Sequence, residues 1–190
     1  MIKYKETMIL EVHDVYEIGD YIVKSNDGVC RVDNILHLNI PGVDKNTLYY
    51  LLIPIDEQSR KIYIPVNTSE EAIRKTMSAE EARTLIDRIT EIEEIWIDNE
   101  KLREQQYKNA VRSYNPEALI GVIKATYSRN NQRLVQGKKT TSLDERYFKM
   151  AEHHLYSELG FAINKDENEI YQIILEHINS KSTESCTDKA

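Results

Sequence analysis

The side chains able to do chemistry in this sequence are few and poorly spaced for it. His153 and His154 are adjacent. Neighbours on a helix point about 100° apart, so these two cannot chelate one ion from one face. His154 is expected to pack at the edge of an apolar stripe, with His153 in solvent. His13, His37 and His177 are isolated, and no serine or cysteine stands in a recognisable nucleophile setting. Gly137-Lys138 has the end of a phosphate loop, but that motif needs a glycine five residues earlier, where Gln132 stands. It also needs a preceding strand, where the pattern here is helical. Cys30 and Cys186 have no zinc or disulfide spacing and are expected as reduced thiols. No catalytic residue, metal site or cofactor is expected, and an enzyme would need an active site assembled only in space.

Charge carries more information. The 190-residue chain is acidic, with net charge −7. Residues 107–149 nevertheless hold nine basic side chains (Lys108, Arg112, Lys124, Arg129, Arg133, Lys138, Lys139, Arg146, Lys149) against Glu117, Asp144 and Glu145. The flanking residues are net acidic. A basic block of this kind is either a solvated helical surface or a face for phosphates, which give affinity and register but little sequence information. Few Asn or Gln side chains stand ready to read bases. Trp96 is the single tryptophan; it is either a packing anchor between helices or a ring that touches a base.

The elements that must position these residues fall into two parts. Strands are expected at Tyr21–Lys24, Val29–His37, Leu48–Pro54 and Lys61–Pro65, with a short one around Arg74–Met77. Turn formers separate them: Asn26-Asp27-Gly28, Pro41-Gly42 and the run 56–59. Gly28 can take the positive φ of a tight hairpin. The run LYYLLIPI is almost wholly apolar, which predicts burial on both faces. Together these predict a small bent sheet or half-barrel.

From Ser78 the period becomes helical. Ser78 and Glu81 form a capping box, and Ala82, Leu85, Ile86 and Ile89 follow at helical spacing. Asp98 is expected to cap a second helix, with Ile97 and Leu102 as a hydrophobic staple. Its inner stripe is Leu102 or Arg103, Tyr107, Ala110 or Val111, and Tyr114. Asn115-Pro116 starts a third helix, with Leu119, Val122, Ile123 and Tyr127 inward. Ser142 and Glu145 box a fourth, followed by Leu143, Tyr147, Met150, Ala151, Leu155 and Leu159. A fifth begins near Asp166. The expected fold class is α+β: residues 1–77 form the β module, 78–179 the helical domain and 180–190 a disordered tail. The N-terminus has no apolar core of a signal peptide and no run is long enough to span a membrane, so a cytoplasmic location is expected; Met8 is an alternative start.

Pro65 ends its strand and cannot donate to a ladder, which favours a sheet edge or a strand end. An edge strand can pair with a strand of another protein.

In order and spacing, "YEIGDYIVKSNDGVCRV", "YYLLIPI" and "KIYIPVNT" resemble the RNA-polymerase-interacting domain of CarD-type transcription regulators and transcription-repair coupling factors. The helical part, in "REQQYKNAVRSYNPEALIGVIKATYSRNNQRL" and "SLDERYFKMAEHHLYSELGFAI", resembles the CarD-type C-terminal domain. The resemblance covers roughly residues 16–163. It implies a non-enzymatic bacterial regulator whose Tudor-like module pairs with the polymerase β subunit through Ile62, Tyr63, Ile64, Pro65, Val66 and Asn67. It also implies that the helices touch promoter DNA without strong sequence specificity, stabilising or destabilising the open complex. The DNA-facing set would then be Arg103, Tyr107, Lys108 and Arg112, with Lys124, Arg129, Arg133, Lys138, Lys139, Arg146 and Lys149 from the basic block. Lys108 matches a basic position of the family's DNA-facing helix. Two departures stand out. Arg103 occupies the position of a tryptophan that wedges into the minor groove in relatives, and Leu38 and Tyr63 replace polymerase-facing arginines. The expected state is a monomer without membrane contact. The alternative is a protein–protein adaptor that touches no DNA.

Overall fold

The computed structural model describes residues 16–68 and 72–187; Met8, His13 and the end of the expected tail lie outside them. Strands β1 (Tyr21–Lys24) and β2 (Gly28–His37) form the first hairpin, with Lys24 opposite Gly28. Asn26 and Gly28 take positive φ values of 71° and 76°, the left-handed conformation that Gly and Asn tolerate best. Strands β3 (Leu48–Pro54), β4 (Ile62–Pro65) and β5 (Ile73–Lys75) complete an antiparallel half-barrel in the order β4-β3-β2-β1-β5. A register shift between Val32 and Asn34 marks a bulge in β2, which bends the strand.

Alternation assigns the two faces. Ile22, Cys30, Val32, Tyr50, Leu52, Ile64 and Ile73 fill one side of the sheet with Tyr16. Val23 and Val29 point the other way and pack on Tyr114 with Ile55 and Phe161. In β3, Tyr50 and Leu52 are fully buried and Leu51, between them, is 8% exposed, so that strand is covered on both faces at its centre. Burial pushes the Cys30 thiol up to about 12, with Asp27 adding to the shift; the side chain acts as core filling.

Five helices follow: α1 (Ala79–Asp87), α2 (Glu100–Ser113), α3 (Pro116–Val135), α4 (Ser142–Ile163) and α5 (Glu167–Thr187). Ser78 and Glu81 form the reciprocal capping box, and Asp166 and Glu169 exchange equivalent bonds at the start of α5. Asn115 caps α3 with Pro116 at its first turn. Two caps fall one residue from their expected positions. Asn99 rather than Asp98 accepts the Leu102 N–H, and Thr141 rather than Ser142 accepts the Asp144 N–H. The first shift turns Leu102 outward, 60% exposed, so no staple with Ile97 forms, and Arg103 takes the inward place. Tyr127 and Met150 are also exposed, against expectation. Helix α5 carries the backbone past residue 180, where the apolar stripe has already ended at Ile178. The helices share one core, including Ile86, Tyr107, Val111, Leu119, Val122, Leu155, Leu159 and Ile170. Among the described residues no helix is long and apolar enough to cross a membrane.

Candidate functional site

Strand β4 is an edge. Among the described residues it pairs only with β3, with Tyr50 opposite Ile64 and Leu51 opposite Tyr63. The Val66 N–H donates to the Leu48 carbonyl at 2.9 Å, in the same register. Hydrogen-bonded pairs alternate along an antiparallel ladder, so Ile64 and Ile62 also bond to β3. Tyr63 and Pro65 therefore turn their backbone groups away from the sheet. Pro65 has no N–H, and its carbonyl already accepts the Thr68 N–H at 3.0 Å and hydroxyl at 2.6 Å. What the edge offers a foreign strand is the N–H and C=O of Tyr63, and pairing beyond Pro65 is blocked from within.

The six residues expected at this surface divide accordingly. Ile64 is buried, and Ile62 and Val66 pack against the same core from partly buried positions. Tyr63 is 42% exposed, Asn67 is exposed and Pro65 is half-buried. Outward contact falls to Tyr63, Pro65 and Asn67, while Ile62, Ile64 and Val66 hold the strand in place.

The basic block does not form one surface. Arg103 is 4% exposed, lies 3.7 Å from Asp144, and donates to the Ile97 carbonyl at 3.4 Å. Tyr107 is fully buried, edge-on to Tyr147 at 5.7 Å. Burial, with Asp144 nearby, pushes its hydroxyl up to about 12. Both side chains, expected to face DNA, are turned into the helical core. Lys124 turns back to donate to the carbonyls of Thr90 and Ile92, and its burial lowers its pKa. Arg129 lies over the Trp96 ring at 5.1 Å and reaches the Ile97 carbonyl. Arg133 Nε donates to the Lys139 carbonyl at 2.7 Å, closing the α3–α4 turn. These three cations hold chain segments together.

Four of the remaining cations gather between α2 and α4. Lys108 and Arg112, one turn apart on α2, and Arg146 on α4 line a shallow groove with Val111, Tyr147, Met150 and Glu104. Lys149 is exposed one turn beyond Arg146. The Arg146 guanidinium lies 4.8 Å over the Tyr147 ring and is held by Glu104 at 2.9 Å, which raises its pKa. Three cations against one carboxylate leave the groove positive. Lys138 and Lys139 are exposed in the α3–α4 loop. Trp96 is 39% exposed and its indole N–H donates to Asp98 at 3.2 Å.

The sequence missed the polar contacts at the junction of sheet and helices. Arg74 on β5 makes a two-pronged bond to Glu158 on α4, at 2.6 and 2.7 Å. The partners are 84 residues apart, so no local pattern signals them.

No curated protein matches the chain. A family model described as the CarD-like/TRCF RID domain matches residues 16–77, about a third of the chain. The match ends one residue before the cap of α1 and takes in all five strands. Residues 16–77, a half-barrel with an edge strand at Tyr63, thus match the CarD-like RID domain, an RNA-polymerase-interacting domain family.

Proposed function

We propose that this protein is a bacterial, cytoplasmic CarD-like regulator that docks β4 on a strand of the polymerase β subunit. In this reading the α2–α4 groove then lies against promoter DNA and alters the lifetime of the open complex. The outward N–H and C=O of Tyr63, on the edge strand of a CarD-like RID domain, carry the reading. Backbone pairing supplies affinity, and the exposed Tyr63 ring, where relatives have an arginine, supplies apolar contact. Once docked, the groove meets DNA at a high local concentration, so weak phosphate contacts from Lys108, Arg112, Arg146 and Lys149 suffice. Lys138 and Lys139 extend the same charge. The protein acts as a monomer and needs no cofactor.

Replacing Tyr63 with proline tests the docking. Proline removes the outward N–H and leaves the bonds to β3 in place. Capture of RNA polymerase from a bacterial extract is expected to disappear, while the free protein keeps its fold. Undiminished capture by Tyr63→Pro would overturn strand addition. Changing Lys108, Arg112, Arg146 and Lys149 to glutamate is expected to weaken binding to a forked duplex and flatten its salt dependence. The acidic residues that flank the basic block favour a second reading, in which the helical part binds another protein and touches no DNA. A salt slope unchanged by the four substitutions would select it.

A further inference from the structure

Between the strand edge and the groove lies a junction of sheet and helices. Glu158 is 1% exposed and its carboxylate is fully engaged: Oε1 accepts Arg74 Nη1 at 2.6 Å and the Met77 N–H at 3.2 Å, and Oε2 accepts Arg74 Nη2 at 2.7 Å. The same Nη2 donates to the Tyr114 carbonyl at 2.7 Å. One guanidinium on β5 thus grips α4 and the end of α2 together. A planar fork on a carboxylate fixes both distance and plane, which a point charge does not.

Packing repeats the restraint. The Tyr114 ring joins Val23 and Val29 in one cluster and lies so close to Gly28 that a Cβ there would meet it at 3.2 Å. Tyr114 stacks on His154 at 4.0 Å, and Tyr21 lies 4.6 Å from Phe161. The Asn26 N–H donates to the Arg112 carbonyl at 3.2 Å. Arg112 also lines the groove, so a groove cation sits on a residue bonded directly to the β1–β2 turn. On α4, Arg146 stands roughly 18 Å along the same helix from Glu158.

We infer that Arg74, Glu158 and Tyr114 are positioning residues that lock sheet and helices into one rigid arm, holding the groove at a fixed distance from the bound polymerase. What the arm carries rests on the proposed function; its rigidity does not.

The test uses spin labels at Lys45→Cys and Lys149→Cys in a Cys186→Ser background, with the distance distribution read by pulsed electron resonance. A single narrow distance is expected. Arg74→Ala with Glu158→Gln, which removes both charges without stranding either, is expected to lose the narrow peak; should that variant not fold, Glu158→Gln alone serves. A photo-crosslinker at position 149 in the promoter complex should mark one DNA position in the unaltered protein and several in the variant. Polymerase capture and affinity for free DNA should be the same in both. A broad distribution in the unaltered protein, or a narrow one that survives in the variant, overturns the inference. If the unaltered protein captures no polymerase, the proposed function fails and the distance distribution still decides the lock.

Discussion

The two edges of the sheet have opposite fates. At β5, Arg74 reaches into the helices and the following Met77 N–H ends on Glu158, so this margin is absorbed by the protein itself. At β4, no described residue pairs with the outer side or bonds the outward groups of Tyr63. Both strands are short, which blunts an edge against aggregation. At β4 the blunting goes further: Pro65 lacks a donor and Thr68 occupies its carbonyl. The difference teaches that a small sheet can spend one margin on its own tertiary structure and keep a single backbone pair for a partner.

The contrast is broken most severely from the β5 side. Glu158→Ala strands Arg74 beside a buried gap, and a broken buried pair of this kind costs about 2–3 kcal/mol once the partial exposure of Arg74 is allowed for. Urea unfolding monitored by Trp96 fluorescence measures it. A loss equal to that of an exposed pair such as Arg146–Glu104, which is worth only about 0.5 kcal/mol, would show that the junction is not load-sharing.

Acid probes the same side. Burial holds the His154 imidazole down at about 4 against its ordinary 6.5, with repulsion from His153 adding. Tyr114 faces it from the end of α2, and Asp56 lies beside His153 from the loop after β3. The unfolded chain takes the proton first, so the stabilisation is whole above pH 6.5 and is lost as the pH falls toward 4. The loss is on the order of 2 kcal/mol after screening. His154→Phe should remove this part of the pH dependence; an identical pH profile in the variant would place the cause elsewhere.

On the β4 side the expected change in stability is the smallest. Tyr63→Pro removes an outward N–H and a half-exposed ring, and unfolding free energy should move by less than about 1 kcal/mol. A larger drop would mean that Tyr63 bonds within the protein.

These effects also show where the sequence was legible. The strands and their turns could be read because alternation and Asn-Asp-Gly chemistry act over a few residues. Capping was readable to within one residue: Asp98 and Asn99 are both competent caps, and the packing of Arg103 decides between them. The resemblance marked β4, and the structure shows why, within Ile62–Pro65, Tyr63 is the residue that turns both N–H and C=O outward. The inward partners of Arg103 and Lys124, Asp144 on α4 and the carbonyls after α1, could not be read because they lie far along the chain. A buried arginine and a solvated one look alike until the carboxylate opposite is known.

Amide hydrogen exchange at three consecutive residues tests the docking of β4 most directly. In the free protein the Ile62 and Ile64 amides, bonded to β3, should exchange slowly and the Tyr63 amide fast. On adding RNA polymerase the Tyr63 amide should slow markedly while its neighbours change little. A Tyr63 amide that stays fast in a complex that has formed would contradict strand addition at β4.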